Sequence, residues 1–146
     1  MELPDWAVAK TVAAVFDAFD AAGAEARFVG GCVRDAVLGL APSDIDLATA
    51  VEPPDVIKLL QVAGLKAIPT GIEHGTVTAV AHGGMVEITT LRRDVDTDGR
   101  HAEVAFSHSW REDAARRDFT INALNVGRNG SLEDWTGGLA DLEAGR

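Results

Sequence analysis

The stretch Gly30-Gly31-Cys32-Val33-Arg34-Asp35, followed by Asp44-Ile45-Asp46-Leu47-Ala48-Thr49, decides how this chain can fold. A short apolar run over 26–29 precedes the glycine pair, and apolar residues at helical spacing follow it. This pattern predicts a strand, a tight turn and a helix. Residues 44–49 predict a second strand, because β-branched and apolar residues are enriched there. The alternation of strands and helices favours an α/β or α+β fold.

Working outward from this stretch, the flanking sequence supplies the other predicted elements. Further helices are expected over 5–22, over 55–63 after Pro53-Pro54, and from the capping box Ser109–Glu112 toward Arg117. Further strands are expected over 65–68, 76–81 and 85–91, the last two joined as a hairpin through 82–84, and around the hairpin signal Asn129-Gly130. Residues 92–102 lose the apolar pattern, which predicts a mobile loop.

The composition limits the class of protein. The chain has 146 residues, of which 47% are apolar, so it can bury one core as one domain. Its single cysteine, Cys32, has no disulfide partner within the chain and favours a reducing compartment. There is no run of 18 apolar residues and no basic leader, so we expect a cytoplasmic protein without a membrane anchor.

The charge is strongly acidic but unevenly distributed. The formal net charge of −10 argues against a surface that binds nucleic acid all over, since such binding needs clustered Lys and Arg. Residues 1–91 hold 5 basic and 12 acidic side chains, residues 92–117 hold 6 and 6, and residues 118–146 hold 2 and 5. An anionic ligand is therefore expected to meet the segment 92–117.

Three carboxylates are candidates for a metal site. Asp44 and Asp46 are two apart on a predicted strand, so both should project from the same face while Ile45 and Leu47 point to the other. Two like charges so placed favour a hard divalent cation such as Mg²⁺ between them. Glu87, on a neighbouring predicted strand, would complete a two-metal site for phosphoryl displacement. The alternative is that all three are solvated surface carboxylates.

Two further groups of residues could hold a phosphate. Gly30 and Gly31 allow the backbone to approach a ligand, and Arg34 could bind two phosphate oxygens with its planar fork. An ordinary turn with a solvated arginine is the alternative. Arg117 could grip a triphosphate, with Asp118 orienting it and Asn122 holding that aspartate. Here the alternative is a helix end whose cations favour the negative end of the helix dipole.

These motifs, together with Arg116-Arg117-Asp118-Phe119-Thr120-Ile121-Asn122-Ala123-Leu124, resemble the head domain of class II CCA-adding enzymes. That group of tRNA nucleotidyltransferases belongs to the DNA polymerase β-like superfamily, which also contains bacterial poly(A) polymerases. The resemblance covers residues 26–140. It implies an N-terminal helix over 1–25 that packs on the head, a nucleotidyltransferase head over 26–140 with a small mixed sheet flanked by helices, and the start of a neck over 141–146.

The resemblance also implies roles for individual residues. Asp44, Asp46 and Glu87 would be the catalytic ligands of two Mg²⁺ ions. The nucleotide would be bound by Gly30, Gly31, Arg34, Arg117, Asp118 and Asn122. The reaction would be the attack of a tRNA 3′-hydroxyl on the α-phosphate of CTP or ATP, with pyrophosphate leaving. The segment 92–102 would be a flexible loop that assists the change from CTP to ATP, with Asp94, Asp98 and Arg100 as its candidate residues.

The segment 70–78 separates the two related activities. Its sequence, Thr70-Gly71-Ile72-Glu73-His74-Gly75-Thr76-Val77-Thr78, resembles CCA-adding enzymes, whereas bacterial poly(A) polymerases tend to carry a basic sequence there. We therefore expect CCA addition. A poly(A) polymerase head and a non-catalytic nucleotide-binding module are the alternatives. The family's base-selecting neck and tRNA-binding body would follow residue 146, so we expect the isolated head to be weakly active or inactive.

Overall fold

The computed structural model of the chain describes residues 4–39, 44–71, 75–96, 102–106, 110 and 125–133. A 3₁₀ helix at Asp5–Val8 precedes three α-helices: α1 (Lys10–Ala21), α2 (Gly31–Val37) and α3 (Pro53–Val62). The strands are β1 (Ala26–Val29), β2 (Asp46–Thr49), β3 (Lys66–Gly71), β4 (Thr76–Ala81), β5 (Gly84–Thr90), β6 (Arg92–Asp96), β7 (Ala102–Phe106), β8 (Asn125–Gly127) and β9 (Leu132–Glu133). These elements confirm the expected α/β fold built on a mixed sheet.

Seven strands form the main sheet in the order β3-β4-β5-β2-β1-β8-β9. Every neighbouring pair in it is antiparallel except β2 and β5, which are parallel. Helix α3 separates β2 from β3 in the chain. Because β2 pairs with β5 and β1 pairs with β8, several neighbouring strands of the sheet are distant in sequence. The two predicted hairpins, β4–β5 and β8–β9, are both present.

One face of the sheet carries the main core. Helices α1 and α3 pack on it, and α2 packs beside β1. Phe28 of β1 is buried there, with edge-to-face ring contacts to Trp6 at 5.4 Å and Phe16 at 5.1 Å between centroids. Such aromatic pairs contribute about 0.5–1.5 kcal/mol each beyond the area they bury. Because strand residues alternate between faces, Leu47 and Ile88 join this core while their neighbours point to the opposite face.

The opposite face, which we call the open face, has a smaller apolar cluster of Val29, Ala48 and Leu91, packed against Trp110. The rest of the open face is more polar. It carries Asp46 on β2, Glu87 on β5 and Thr78 on β4. Within the described ranges, every helix is too short or too polar to cross a bilayer.

The prediction of a loop over 92–102 is wrong for the two ends of that segment, which lie in strands. Residues Arg92–Asp96 form β6, which pairs in an antiparallel ribbon with Ala102–Phe106. A two-stranded ribbon needs no apolar alternation, because backbone hydrogen bonds hold it and strand propensity depends on context. The ring of Phe106 lies against Gly75, whose φ is +83°, so close that an added Cβ would lie 2.7 Å from the ring. Residues 97–101 lie outside the described part of the chain.

Candidate active site

Two of the three predicted carboxylates lie side by side on the open face. Strands β2 and β5 are parallel, and Asp46 pairs in register with Glu87. The register is fixed by the Glu87 amide, which donates a hydrogen bond to the Ile45 carbonyl oxygen at 3.1 Å. Neighbouring residues on parallel strands point to the same face, so both carboxylates project from it. The interpretation that Glu87 lies beside an aspartate strand is thus matched by the strand register.

Asp44 lies differently from the sequence prediction. Strand β2 begins at Asp46, and Asp44 lies at a bend before it with an exposed side chain. The predicted strand over 44–49 was therefore too long by two residues, because regular pairing with both neighbouring strands starts only at Asp46. The strict alternation that would put Asp44 and Asp46 on one face does not extend to Asp44.

The carboxylates of Asp46 and Glu87 are of the chemical type that binds divalent cations. In the described part of the chain, no group of three or more His, Cys, Asp or Glu side chains is gathered closely enough to hold a metal ion. Mg²⁺ is commonly bound through one or two carboxylates and completed by water and substrate phosphates. Asp46 and Glu87 supply two hard oxygen ligands at neighbouring positions. These two side chains could therefore contribute ligands to a divalent cation.

The glycine turn lies directly against this carboxylate pair. Gly30 precedes α2 with φ 74° and ψ −146°, a conformation open essentially only to glycine. A Cβ added there would lie 3.6 Å from Oδ2 of Asp46. The buried thiol of Cys32 donates to the Val29 carbonyl oxygen at 3.2 Å, which ties the start of α2 back to β1. The local sequence therefore places the glycine backbone at Gly30 next to the carboxylate of Asp46.

Arg34 projects from the same turn. Its Nε donates to Oδ1 of Asp35 at 3.3 Å, and its side chain is 40% exposed. An added Cβ on Gly31 would lie 3.3 Å from Nη2 of Arg34, so the guanidinium lies over that glycine. A partly exposed guanidinium beside a glycine turn can bind phosphate oxygens by charge-assisted hydrogen bonds. The phosphate role of Arg34 stays a prediction.

Cys32 is not suited to act as a nucleophile. The pKa of its thiol is raised to about 11, mainly by burial and in part by the negative charge of Asp46. The thiolate is the reactive form of cysteine, and it is scarce at neutral pH when the pKa is raised. The cysteine is therefore a structural residue of the turn.

The open face also holds a buried arginine that the sequence motifs did not reveal. Arg27 is 8% exposed; its Nε donates to Oδ1 of Asn125, and its Nη2 donates to the Ser131 carbonyl oxygen at 2.6 Å. Its guanidinium carbon lies 6.0 Å from the centroid of the Trp110 ring. The one sequence feature that could have revealed this buried arginine is its position inside the short apolar run 26–29. Arg27 links β1 to the β8–β9 hairpin.

The remaining predicted site residues fall elsewhere. Asp94 lies within strand β6, at a position where the sequence predicted a loop. The other five lie outside the described residues, namely Asp98, Arg100, Arg117, Asp118 and Asn122. Their roles stay predictions.

Comparison with known protein families gives one match that covers most of the chain. A model described as the poly A polymerase head domain matches residues 26–146. Among curated proteins, the human mitochondrial CCA tRNA nucleotidyltransferase 1 is 49% identical over 120 residues, which is 82% of this chain and 28% of that protein. The CCA-adding enzyme of Lactiplantibacillus plantarum is 45% identical over 133 residues, which is 90% of this chain and 32% of the enzyme.

Solved structures agree in fold. The Bacillus stearothermophilus CCA-adding enzyme in complex with CTP superposes with a TM-score of 0.77 at 36% identity, covering 92% of this chain and 31% of that one. A tRNA nucleotidyltransferase complexed with a primer tRNA and an incoming ATP analog gives a TM-score of 0.68 at 33% identity, covering 88% of this chain and 36% of that one. This chain spans about a third of the length of the relatives it matches.

Proposed function

The chain belongs to the poly A polymerase head domain family, and from that premise we propose that it is the catalytic head of a CCA-adding tRNA nucleotidyltransferase. In the proposed reaction, the 3′-hydroxyl of tRNA attacks the α-phosphate of CTP or ATP, a new phosphodiester forms, and pyrophosphate leaves. The observation that carries the proposal is the register pair Asp46 and Glu87 next to Gly30. It offers carboxylates and an unobstructed backbone at one place, as nucleotidyl transfer needs.

The chain's own residues would mainly position the substrates. The bare backbone at Gly30 and Gly31 would let the triphosphate approach, and the exposed guanidinium of Arg34 would bind its oxygens. From the segment outside the described residues, Arg117, Asp118 and Asn122 would complete this grip. Phosphoryl transfer needs little covalent help from protein, so positioning and charge neutralisation account for most of the catalysis.

Asp46 and Glu87, with Asp44 from the preceding bend, would hold two Mg²⁺ ions. Bound Mg²⁺ supplies charge neutralisation on the phosphates and activates the attacking oxygen. A carboxylate beside the attacking hydroxyl also favours the loss of its proton. Both effects need the carboxylates ionised and accessible, and Glu87 is exposed.

The activity test uses a chimera, because this chain spans 32% of the Lactiplantibacillus relative. The matching region of that relative is replaced by this chain, and the chimera is given a tRNA lacking its 3′ CCA with α-labelled CTP and ATP. We expect ordered addition of two C residues and one A. The variants Asp46→Asn and Glu87→Gln should lower the rate by at least about a thousandfold, since each removes a negative ligand from the metal site.

Asp55→Asn is the matched control, because it removes the same charge from an exposed position in the first turn of α3. It should leave the rate within about twofold. If Asp46→Asn and Glu87→Gln retain the rate of the control, the assignment of the catalytic carboxylates is wrong. Repeated addition of A without C would instead indicate poly(A) synthesis.

A further inference from the structure

The two sides of the carboxylate pair differ in what they present. On the side of β1 and α2, Asp46 lies against Gly30, with Arg34 beyond it. On the other side, Glu87 pairs in register with Thr78 of β4, which pairs in turn with Ile68 of β3. The carboxylates thus lie at the border between a phosphate-binding turn and the outer part of the open face.

The reaction geometry gives these two sides different substrates. In an in-line displacement, the attacking oxygen and the leaving group lie on opposite sides of the phosphorus atom. The proposed function puts the triphosphate on the side of Gly30 and Arg34. The attacking strand must then reach the carboxylates from the side of β5, β4 and β3.

That side has a surface suited to a nucleic-acid strand. We define the acceptor face as the open-face residues Lys66, Thr70, Thr78, Val80 and Met85. Lys66, Val80 and Met85 occupy one row across the three strands, and the hydroxyls of Thr70 and Thr78 are 2.9 Å apart. Lys66 and Thr70 are exposed, and Met85 is 68% exposed. Thr78 is buried and supports the exposed Thr70 through this hydrogen bond. The face therefore offers one cation, one exposed hydroxyl and an apolar contact.

The charge distribution also favours this side for a polyanion. Between Leu65 and Val86 the sequence contains one basic residue, Lys66, and one acid, Glu73, although the whole chain has a net charge of −10. Strands β3 and β4 contain no acidic residue at all. Lys66 is the one charged residue of these two strands, so this part of the sheet lacks the repulsion that the net charge of the chain would give.

The dimensions suit a short stretch of strand. Adjacent strands are about 4.8 Å apart and each residue rises about 3.3 Å, so Lys66 lies roughly 12 Å from Glu87 in the plane of the sheet. That distance spans about two nucleotides of an extended RNA strand. A lysine there can neutralise a backbone phosphate while the terminal hydroxyl reaches the carboxylates.

We propose that the acceptor face binds the last nucleotides of the single-stranded 3′ end of the RNA acceptor, and this inference rests on the proposed function. Lys66 binds a backbone phosphate. The Thr70 hydroxyl hydrogen-bonds a phosphate or ribose oxygen. Met85, on the same strand and face as Glu87, packs against a terminal base.

The test measures two affinities of the 146-residue chain. The first is for a short 5′-fluorescein-labelled single-stranded RNA, by anisotropy, and the second is for CTP with Mg²⁺, by calorimetry. Lys66→Glu should weaken RNA binding about tenfold at 50 mM salt and less at 200 mM, since it reverses a charge at a phosphate contact. Met85→Glu should weaken RNA binding about fivefold. Both variants should bind CTP within about twofold of the unsubstituted chain.

The matched controls are Lys58→Glu and Val62→Glu on α3. They make the same charge changes at exposed positions that line a groove between α1 and α3, on the other side of the sheet. They should weaken RNA binding by no more than about twofold. Equal losses in the two pairs, or no measurable RNA binding by a chain that binds CTP, would overturn the acceptor face alone. Failure of the unsubstituted chain to bind CTP with Mg²⁺ would overturn the proposed function and this inference with it.

Discussion

Gly30 shows how a single residue connects the fold to the site. Its backbone conformation, φ 74° and ψ −146°, is one that side chains rarely adopt. The same conformation turns the chain from β1 into α2 and leaves room beside Oδ2 of Asp46. The requirement for glycine is therefore conformational, since an added Cβ would meet Asp46 at an ordinary van der Waals distance.

Gly30→Ala should cost about 1–3 kcal/mol of unfolding free energy, because the alanine must adopt a strained backbone conformation. It should also weaken the binding of CTP with Mg²⁺, because the new methyl group lies in the space next to Asp46. Urea denaturation and calorimetry measure the two effects. Gly23→Ala is the control: its φ is +69° and nothing lies within 4 Å of an added Cβ. It should lower stability but leave CTP affinity unchanged; an equal loss of affinity in both variants would contradict the local explanation.

Cys32 gives a pH dependence with a definite sign. Its folded-state pKa is about 11, against an ordinary value of 9.0. Between these values the unfolded chain loses the thiol proton while the folded chain keeps it. The unfolding free energy should therefore be unaffected by this group below pH 9 and fall by up to roughly 3 kcal/mol as the pH rises to 11.

Urea denaturation in EDTA between pH 8 and 11 measures this effect, with Cys32→Ala as the reference. The chain has no tyrosine, so lysines are the other side chains that titrate in this interval. The variant should show a shallower fall in stability than the unsubstituted chain. Parallel pH profiles would show that the folded thiol ionises near its ordinary pKa.

At the scale of elements, Arg27 joins the central strand β1 to the β8–β9 hairpin. Arg27→Met should lower the unfolding free energy by about 2–4 kcal/mol, because it leaves Oδ1 of the buried Asn125 and the Ser131 carbonyl oxygen without their donor. Arg128→Met is the matched control. Arg128 pairs with Asp17 at 2.8 Å and Asp20 at 2.7 Å but is 40% exposed, so solvent screening limits its loss to about 1 kcal/mol. Comparable losses in chemical denaturation would show that Arg27 has no special structural role.

The elements also show what sequence reasoning can and cannot find. The apolar spacing in α1, the prolines that begin α3 and the turn signals of both hairpins depend on neighbours in the sequence, and all were predicted. The ribbon β6–β7 and the partners of Arg27 depend on residues that are distant or lack an apolar pattern, so periodicity could not reveal them. The pairing of Asp46 with Glu87 lies between these cases. The alternation of residues along each strand predicts the sheet face of each carboxylate. Only the parallel register of β2 and β5 makes Asp46 and Glu87 neighbours.

At the scale of the whole molecule, the main core and the candidate site lie on opposite faces of the sheet. The helix-covered face holds the main core, including Phe28, Leu47 and Ile88. The open face holds Asp46 and Glu87 in adjacent register positions, backed by Leu47 and Ile88 on the opposite side of the same strands. Because the carboxylates lie on strands fixed from behind by packing, their relative position does not depend on a loop.

This arrangement predicts that Mg²⁺ and CTP stabilise the chain together more than either does alone. Mg²⁺ is commonly bound through one or two carboxylates and completed by water and substrate phosphates, so a triphosphate would supply further oxygen ligands. With both present at ten times the dissociation constant, the unfolding free energy should rise by about 1.4 kcal/mol. Thermal denaturation with a KCl control of equal ionic strength measures this. Asp46→Asn should remove the joint effect while Asp55→Asn preserves it. Full stabilisation by Mg²⁺ alone would mean that the chain contains a complete metal site, with ligands from the segments outside the described residues.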